Sequence, residues 1–304
     1  MTAALVDVQA GAVVPDSSRT ATLGQGGTAV DILGTLIACG SSLGVETRER
    51  WAVALPGPFD YEQGIGMFEG VAKFDALHGV DVGAALAEGL PGPPTSIAFV
   101  NDAEAFMWGE RLFGRAAGYD RSVGITLGTG VGSAFFADGV ALRSGQGVPP
   151  EGYVHLLEID GRPLEDTVST RALVREYRRR AGQRSQSPPG RAGEGVAVIA
   201  EWARAGDEVA AGVFSVAFAR LGAALQPWLQ AFGAQVLVVG GAMTGSWDLI
   251  GPPLRDGLHA SGQLPDLVVT VAAHPLDAGL LGAAARAQQI GDLPGEGERK
   301  ATWS

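Results

Sequence analysis

Two short segments and one glycine pair carry residue types that could do chemistry. The first is Val100-Asn101-Asp102-Ala103-Glu104-Ala105. A carboxylate that closes a buried-type strand and opens a helix stands where α/β sheets bind ligands, and it can accept a proton there. Asn101 and Asp102 would equally serve as a helix cap. The second is Ser122–Phe136, SVGITLGTGVGSAFF, where a strand ends in Leu127-Gly128-Thr129-Gly130-Val131-Gly132 and the chain doubles back. Glycines at this spacing let backbone N–H groups approach an oxyanion without a Cβ in the way, and the Thr129 hydroxyl adds a donor. A tight glycine hairpin has the same composition. Because a strand follows the turn, neither the GxxxxGK[ST] loop nor the dinucleotide fingerprint applies. The third is Val236–Ala242, VLVVGGA, a buried strand running into Gly240-Gly241 that could lie against a flat base or simply turn.

Positioning these segments requires strands that alternate with helices. Ala3–Val8, the Gly11 turn and Ala12–Val14 read as a hairpin. Apolar spacing predicts a helix over Thr28–Leu43, and Trp51–Leu55 is a strand stopped by Pro56-Gly57-Pro58. A helix lies within Ala76–Gly89, followed by a Gly/Pro run, the strand Ser96–Val100 and a helix over Ala103–Phe113. A second series starts near Asp120 with strands Ser122–Leu127 and Ser133–Ala137 around the glycine turn. An Arg-rich helix Val168–Ala181, a polar surface loop Arg180–Gly195 and helices Val196–Ala205 and Glu208–Phe232 come next. Strands Gln235–Val239 and Val268–Ala272 and a helix Gly279–Gln289 close the pattern, leaving a frayed polar tail over Gly291–Ser304. The alternation predicts a layered α/β protein.

Composition narrows the partners. With 304 residues, 46% of them apolar, the chain is long enough for two lobes with a cleft between them. Its 22 Lys+Arg against 33 Asp+Glu give a net charge of −11, which repels nucleic-acid phosphates and anionic membrane, so neither is an expected partner. A single cysteine, Cys39, excludes an intramolecular disulfide and a multi-cysteine zinc site. The N-terminal stretch lacks the pattern of a signal peptide, and the longest apolar runs are short for a bilayer span. A cytoplasmic location is the expectation.

Taken together and in this order, the segments resemble the ROK family of sugar kinases and sugar-responsive repressors, within the actin-like ATPase superfamily. Ala54–Asp60, ALPGPFD, is similar to that family's GxPGPxD strand-turn, and Asn101-Asp102-Ala103 to its NDAN segment. Leu127–Gly132 resembles its LGTGxG phosphate loop, Val239–Ala242 its adenosine-side glycines, and Asp277–Ala284, DAGLLGAA, its AGLIGAA helix. The resemblance spans nearly the whole chain. It implies a two-lobed actin-like ATPase (ribonuclease H-like) fold, with a small α/β lobe over 1–117 completed by the helix 279–290 and a larger α/β lobe over 118–278. It also implies transfer of the γ-phosphoryl group of ATP to a hydroxyl of glucose or a related hexose, with Mg²⁺ bridging the phosphate oxygens. Asp102 would be the general base and Asn101 would hold a neighbouring sugar hydroxyl. Gly128, Thr129 and Gly130 would cradle the phosphates, with Gly240 and Gly241 on the nucleotide side. A homodimer is implied as well. Kinases of a modified sugar or a cyclitol, and a sugar-binding protein that keeps the fold without catalysis, are the alternatives. A repressor is disfavoured, because no N-terminal helix-turn-helix is present and the charge is wrong for DNA.

The sequence departs from the family pattern in three places. The family's CxCGxxGCxE zinc motif has no counterpart in Pro150–Ser169, PEGYVHLLEIDGRPLEDTVS, so no structural zinc is expected. By resemblance to zinc-free, polyphosphate-using relatives, His155 and Glu165 would contact the sugar, with Glu151 and Glu158 competing as the first acidic contact. The sugar-contacting Asn after the PGP turn is absent, and Glu69 within Gly66–Gly70 is the candidate in its place. Finally, the opening strand with its DxGGT phosphate loop is not present. Met1–Asp7 resembles the strand that follows it, while Gln25-Gly26-Gly27-Thr28 reads as a helix cap, so a start recorded too late in the reading frame is the expectation. Without that strand the first lobe's sheet would carry unpaired backbone groups.

Overall fold

The structure is a computed structural model that describes residues 1–24, 26–45, 49–70, 72–92, 94–182, 195–260 and 262–291. The chain forms two compact units, Met1–Phe113 together with the chain from Asp277, and Gly114–Leu276.

In the first unit, the expected N-terminal hairpin is present as two short antiparallel pairs. These are β1 (Thr2–Ala3) with β4 (Arg19–Thr20), and β2 (Val6–Asp7) with β3 (Ala12–Val13). Helix α1 (Ala29–Ser41) starts at Thr28, whose Oγ1 accepts from the Asp31 N–H at 3.3 Å while the Asp31 carboxylate accepts from the Thr28 N–H at 2.8 Å. That reciprocal pair satisfies two otherwise orphaned donors, so Thr28 caps a helix. Strand β5 (Arg50–Leu55) then runs parallel to β8 (Ser96–Asn101), with Leu55 opposite Asn101. Between them lie the antiparallel pair β6 (Phe59–Asp60) and β7 (Ile65–Gly66) and the helix α2 (Val82–Gly89). The helix expected within Ala76–Gly89 is α2, and a 3₁₀ turn over Ala72–Leu77 precedes it. Gly79 at φ 71° breaks the run, and the Asp81 carboxylate restarts it by accepting from the Ala84 N–H at 2.7 Å. Phe59, Phe68, Phe74 and Phe99 form the aromatic heart of the unit. Helix α3 (Asp102–Phe113) crosses the last helix, α9 (Ala278–Gly291), at Gly109 and Gly282. Any Cβ at Gly282 would stand 1.9 Å from the Ala105 carbonyl oxygen, so the two backbones touch.

The second unit is built on a five-stranded sheet. Strand β9 (Arg121–Leu127) pairs antiparallel with β10 (Val131–Ala137), and β10 in turn with β11 (Val140–Leu142). On its other edge β9 runs parallel to β14 (Val236–Gly240), which is parallel to β15 (Val268–Val271). A small hairpin of β12 (Glu158–Ile159) and β13 (Arg162–Pro163) follows β11. The helix expected from Val168 is instead the one-turn α4 (Glu165–Val168) and α5 (Thr170–Gly182), separated by Ser169, whose Oγ accepts from the Ala172 N–H at 3.3 Å. Helices α6 (Val196–Arg204) and α7 (Glu208–Phe232) sit where periodicity put them. The polar loop expected over Arg180–Gly195 falls largely, and the tail after Gly291 wholly, outside the described residues. By length and composition α7 could cross a membrane, longer than the apolar runs considered from sequence. Its Phe214, Phe218, Leu221 and Leu225 are buried in the core, which accounts for that apolarity. Helix α8 (Trp247–His259), which contains Pro252 and Pro253, is an addition to the sequence reading. Two missing N–H donors are outweighed by burial of Ile250, Leu254 and Leu258 and by backbone contact with α7 at Gly222 and Gly257.

Candidate functional site

The first unit presents Asn101 and Asp102 at the carboxyl ends of two parallel strands. Because Leu55 and Asn101 are in register, the Pro56-Gly57-Pro58 turn and the start of α3 leave the sheet at the same end. Asn101 is buried, and its Oδ1 accepts from the N–H groups of Ala103 at 3.0 Å and Glu104 at 3.2 Å. It is therefore the helix cap that its residue type also allowed. Its Nδ2 donates to the Tyr61 hydroxyl at 3.1 Å, and that hydroxyl donates to the Leu55 carbonyl at 3.1 Å. Tyr61 thus locks the Asn101 amide, a role the sequence reading missed because no spacing links positions 61 and 101.

Asp102 is exposed, but onto a cavity of about 1230 Å³ that it lines together with Lys73, Phe74, Leu55 and Pro56. Protein surrounds the carboxylate on the other sides. Desolvation pushes its pKa up, opposed by the Ala103 and Asp102 backbone N–H groups and by the Lys73 ammonium. Its Oδ1 accepts from the Ala103 N–H at 2.9 Å, which fixes the rotamer and leaves Oδ2 as the oxygen for an incoming proton. Glu69 is exposed, 3.9 Å from His78 Nδ1, while His78 Nδ1 also lies 3.1 Å from the Phe68 carbonyl oxygen. Lys73, which the sequence did not single out, lines this cavity and is the cation that acts on Asp102.

The second unit assembles the glycine segments. Gly128, Thr129 and Gly130 form the turn between β9 and β10, with the Gly128 N–H donating to the Gly130 carbonyl at 3.0 Å. Two anchors hold this turn from one side. The Gly128 carbonyl accepts from the Thr170 N–H and hydroxyl, both at 2.9 Å, at the start of α5. Glu165 Oε1 accepts from the Val131 N–H at 2.6 Å and fills the space where a Gly130 Cβ would lie. Thr129 is exposed. Gly240 faces Thr126 across the parallel pair, and Gly241, at φ 88°, lies so close to Leu127 that a Cβ would meet its carbonyl oxygen at 2.4 Å. The phosphate-loop and double-glycine candidates are thereby brought together.

Glu151 and His155 are placed by a buried hydroxyl. Ser133 Oγ donates to the Gly152 carbonyl at 2.6 Å and accepts from the Val154 N–H at 2.9 Å, tying the 150–156 segment to β10. Glu151 is exposed with φ 55°, and the half-buried His155 ring stacks on Tyr153 at 5.1 Å. Glu158 is exposed on β12 opposite Pro163. Of the four acidic and imidazole candidates in this unit, Glu165 alone holds the glycine loop.

The arrangement suits an anionic ligand with a phosphate chain. The loop is anchored by the Gly128 carbonyl and by the Val131 N–H, which leaves glycines free of Cβ beside an exposed Thr129 hydroxyl. No cluster of three or more His, Cys, Asp or Glu side chains occurs among the described residues. A Mg²⁺ ion held mainly through phosphate oxygens and water is compatible with that donor set.

Comparisons with known proteins bear on the family and the fold. The profile of the ROK family matches residues 44–290. A glucokinase from Thermotoga maritima is 29% identical over 252 residues, covering 76% of this chain and 77% of the relative. A beta-glucoside kinase from Klebsiella pneumoniae is 29% identical over 80% of this chain and 79% of its own. Among solved structures, a ROK family glucokinase from Streptomyces griseus in complex with glucose and AMPPNP superimposes with a TM-score of 0.76 at 27% identity, covering 95% of this chain and 96% of that one. The chain belongs to the ROK family, with the two-lobed α/β fold of its sugar kinases.

Proposed function

We propose that Asp102 is the base through which this ATP-dependent sugar kinase deprotonates its acceptor, a hydroxyl of glucose or a related hexose. The observation that carries the reading is the placement of Asp102. It ends a parallel strand, opens onto a cavity and has one oxygen already fixed by its own helix. When bound, ATP with Mg²⁺ supplies the γ-phosphoryl group and neutralises its oxygens. Asp102 Oδ2 receives the acceptor proton, and its raised pKa brings it nearer to the proton affinity that the transfer needs. Asn101 keeps the base in place through its cap and its bond to Tyr61, with its second Nδ2 hydrogen available to a sugar hydroxyl. Gly128, Thr129 and Gly130 cradle the phosphates, with the Thr129 hydroxyl and the N–H groups of Thr129 and Gly130 as donors, and Glu165 preorganises the loop from behind. Gly240 and Gly241 line the nucleotide side. His155 and one of the competing pair Glu151 and Glu158 are acceptor contacts of the second unit and Glu69 is one of the first, while Glu165, a sugar contact by resemblance, is assigned to the loop. A homodimer in the cytoplasm, free of nucleic-acid and membrane partners, and without structural zinc, completes the reading.

The test is coupled ADP release across hexoses, amino sugars and cyclitols for the wild type and for Asp102→Asn. Acceptor-dependent turnover that falls by about 10²–10⁴-fold in the variant is the expected result. Turnover unchanged in Asp102→Asn would overturn the assignment. Binding of a sugar without any turnover would favour the non-catalytic alternative.

A further inference from the structure

The Tyr61 hydroxyl joins the ends of two strands, and the direction of every bond around it is fixed. Tyr61 follows β6 in the turn to β7, where Asp60 Oδ1 accepts from the N–H groups of Glu62 at 3.1 Å and Gln63 at 2.9 Å. That turn and the Phe59 ring, 5.3 Å away between centroids, hold the phenol against the last residues of β5 and β8. Leu55 and Asn101 are cross-strand partners there and both are buried. A carbonyl accepts and never donates, so the phenol proton goes to Leu55 and the phenol oxygen meets Asn101 as an acceptor. Asn101 Oδ1 is taken by the Ala103 and Glu104 N–H groups, so the rest of the amide offers hydrogens alone. Tyr61 uses one Nδ2 hydrogen, and the second has no partner among the described residues. A buried N–H left in that state carries its full desolvation cost until a ligand accepts from it.

We propose that Tyr61 determines acceptor specificity: by holding the Asn101 amide in one plane, it makes the site read a second hydroxyl of the sugar strictly as a hydrogen-bond acceptor. This rests on the assignment of Asn101 and Asp102 to the acceptor given above. The torsion that turns an amide is soft, so capping at Oδ1 alone leaves the nitrogen end free to swing. Tyr61 holds that end as well, in a setting where burial strengthens each bond. An amide fixed at both ends cannot turn toward water when the ligand lacks a lone pair, so its hydrogen stays unpaired in the complex. A hydroxyl or a fluorine at that carbon satisfies it, and a plain hydrogen does not. Discrimination of this kind comes from the group left unpaired more than from the bond gained. Tyr61 is thus a positioning residue that acts through Asn101. Phe in its place keeps the ring beside Phe59 and removes the hydroxyl alone.

The test compares glucose with its monodeoxy and monodeoxyfluoro analogues in the wild type and in Tyr61→Phe. It reads kcat/KM, and sugar binding by calorimetry without nucleotide. In the wild type one ring position should stand out: loss of its hydroxyl weakens binding and kcat/KM by at least about tenfold, and fluorine there restores both to within about threefold. In Tyr61→Phe the deoxy penalty at that position should shrink to about threefold or less, while the penalties at the other positions stay as they were. A merely structural role would weaken every analogue in proportion and leave the ratios unchanged, and that result would overturn the proposal. Equal binding of glucose and all its deoxy analogues by the wild type would overturn it too, whether or not the variant folds. Calorimetry separates this idea from the assignment of the base. A position-specific penalty that disappears in Tyr61→Phe, together with unchanged turnover in Asp102→Asn, would remove Asp102 as the base and leave Tyr61 in its role.

Discussion

The contact between α3 and α9 gives the sharpest test of how the base is positioned. Gly282 and Gly109 let the two helices approach until backbone meets backbone, and Ala105 is fully buried beneath them. In Gly282→Ala the new Cβ would lie 1.9 Å from the Ala105 carbonyl oxygen and 2.5 Å from the Gly109 nitrogen. Neither atom can rotate away, so the helices must separate by about 1.5 Å to restore ordinary contact, forfeiting much of their dispersion attraction. That overpacking costs ~1–3 kcal/mol, while Ala in place of Gly gains at most ~1 kcal/mol of helix propensity, so a net loss of ~1–2 kcal/mol follows. Gly279→Ala is the matched control on the same helix, because its Cβ meets nothing within 4 Å and only the propensity gain remains. Urea unfolding followed through Trp51 and Trp108, with amide exchange in α3 and α9, reads the difference. Because α3 begins at Asp102, the same shift should lower turnover by up to about 10²-fold. Gly282→Ala as stable as Gly279→Ala would refute the reasoning outright.

Three further outcomes follow from the described contacts. Burial raises the Asp102 pKa, so protonation stabilises the fold fully below the ordinary aspartate value, and that stability is lost as pH rises through the raised one. Asp102→Asn should therefore raise the Tm near neutrality by an amount that shrinks on acidification, and the acidic limb of wild-type kcat/KM should lie above the usual carboxylate range. A limb at or below that range would contradict the burial argument. Glu165→Ala removes the acceptor of the Val131 N–H, a charged hydrogen bond of ~1.5–3 kcal/mol, and should raise KM for ATP about tenfold with less effect on KM for the sugar. Hydrogen bonding to Arg179, supported by Arg180, holds the Glu176 carboxyl down at about 2. Its contribution is present above the ordinary glutamate pKa and lost as pH falls toward 2, so Glu176→Gln should flatten the loss of urea midpoint across that window.

Much of this architecture could be read from residue order because local rules and tertiary packing agree. The strand before Asn101-Asp102, the β9–β10 turn at Gly128–Gly132 and the long helix Glu208–Phe232 each follow from apolar period and glycine placement. The 3₁₀ break before α2 was hidden because Gly79 sits inside an otherwise helical pattern. Helix α8 was hidden because Pro252-Pro253 argues locally against a helix, and only its packing against α7 overrides that. At the candidate site, residue types pointed to Asp102 and the glycines, whose chemistry is carried by backbone shape. Tyr61, Lys73 and Thr170 escaped notice because their importance lies in contacts with residues distant in sequence.

Gly241 has a consequence for how donor preference could change. Its backbone rests against Leu127, one residue before the phosphate-loop candidate, while Gly240 is in register with Thr126. The two glycine segments therefore form a single stiff jaw, and neither can be lengthened or re-aimed without dislodging the other. Exchange of ATP for another phosphoryl donor, by selection or by engineering, would have to replace both segments together. Grafting one alone would leave a mismatched hinge at Leu127 in place of a new specificity.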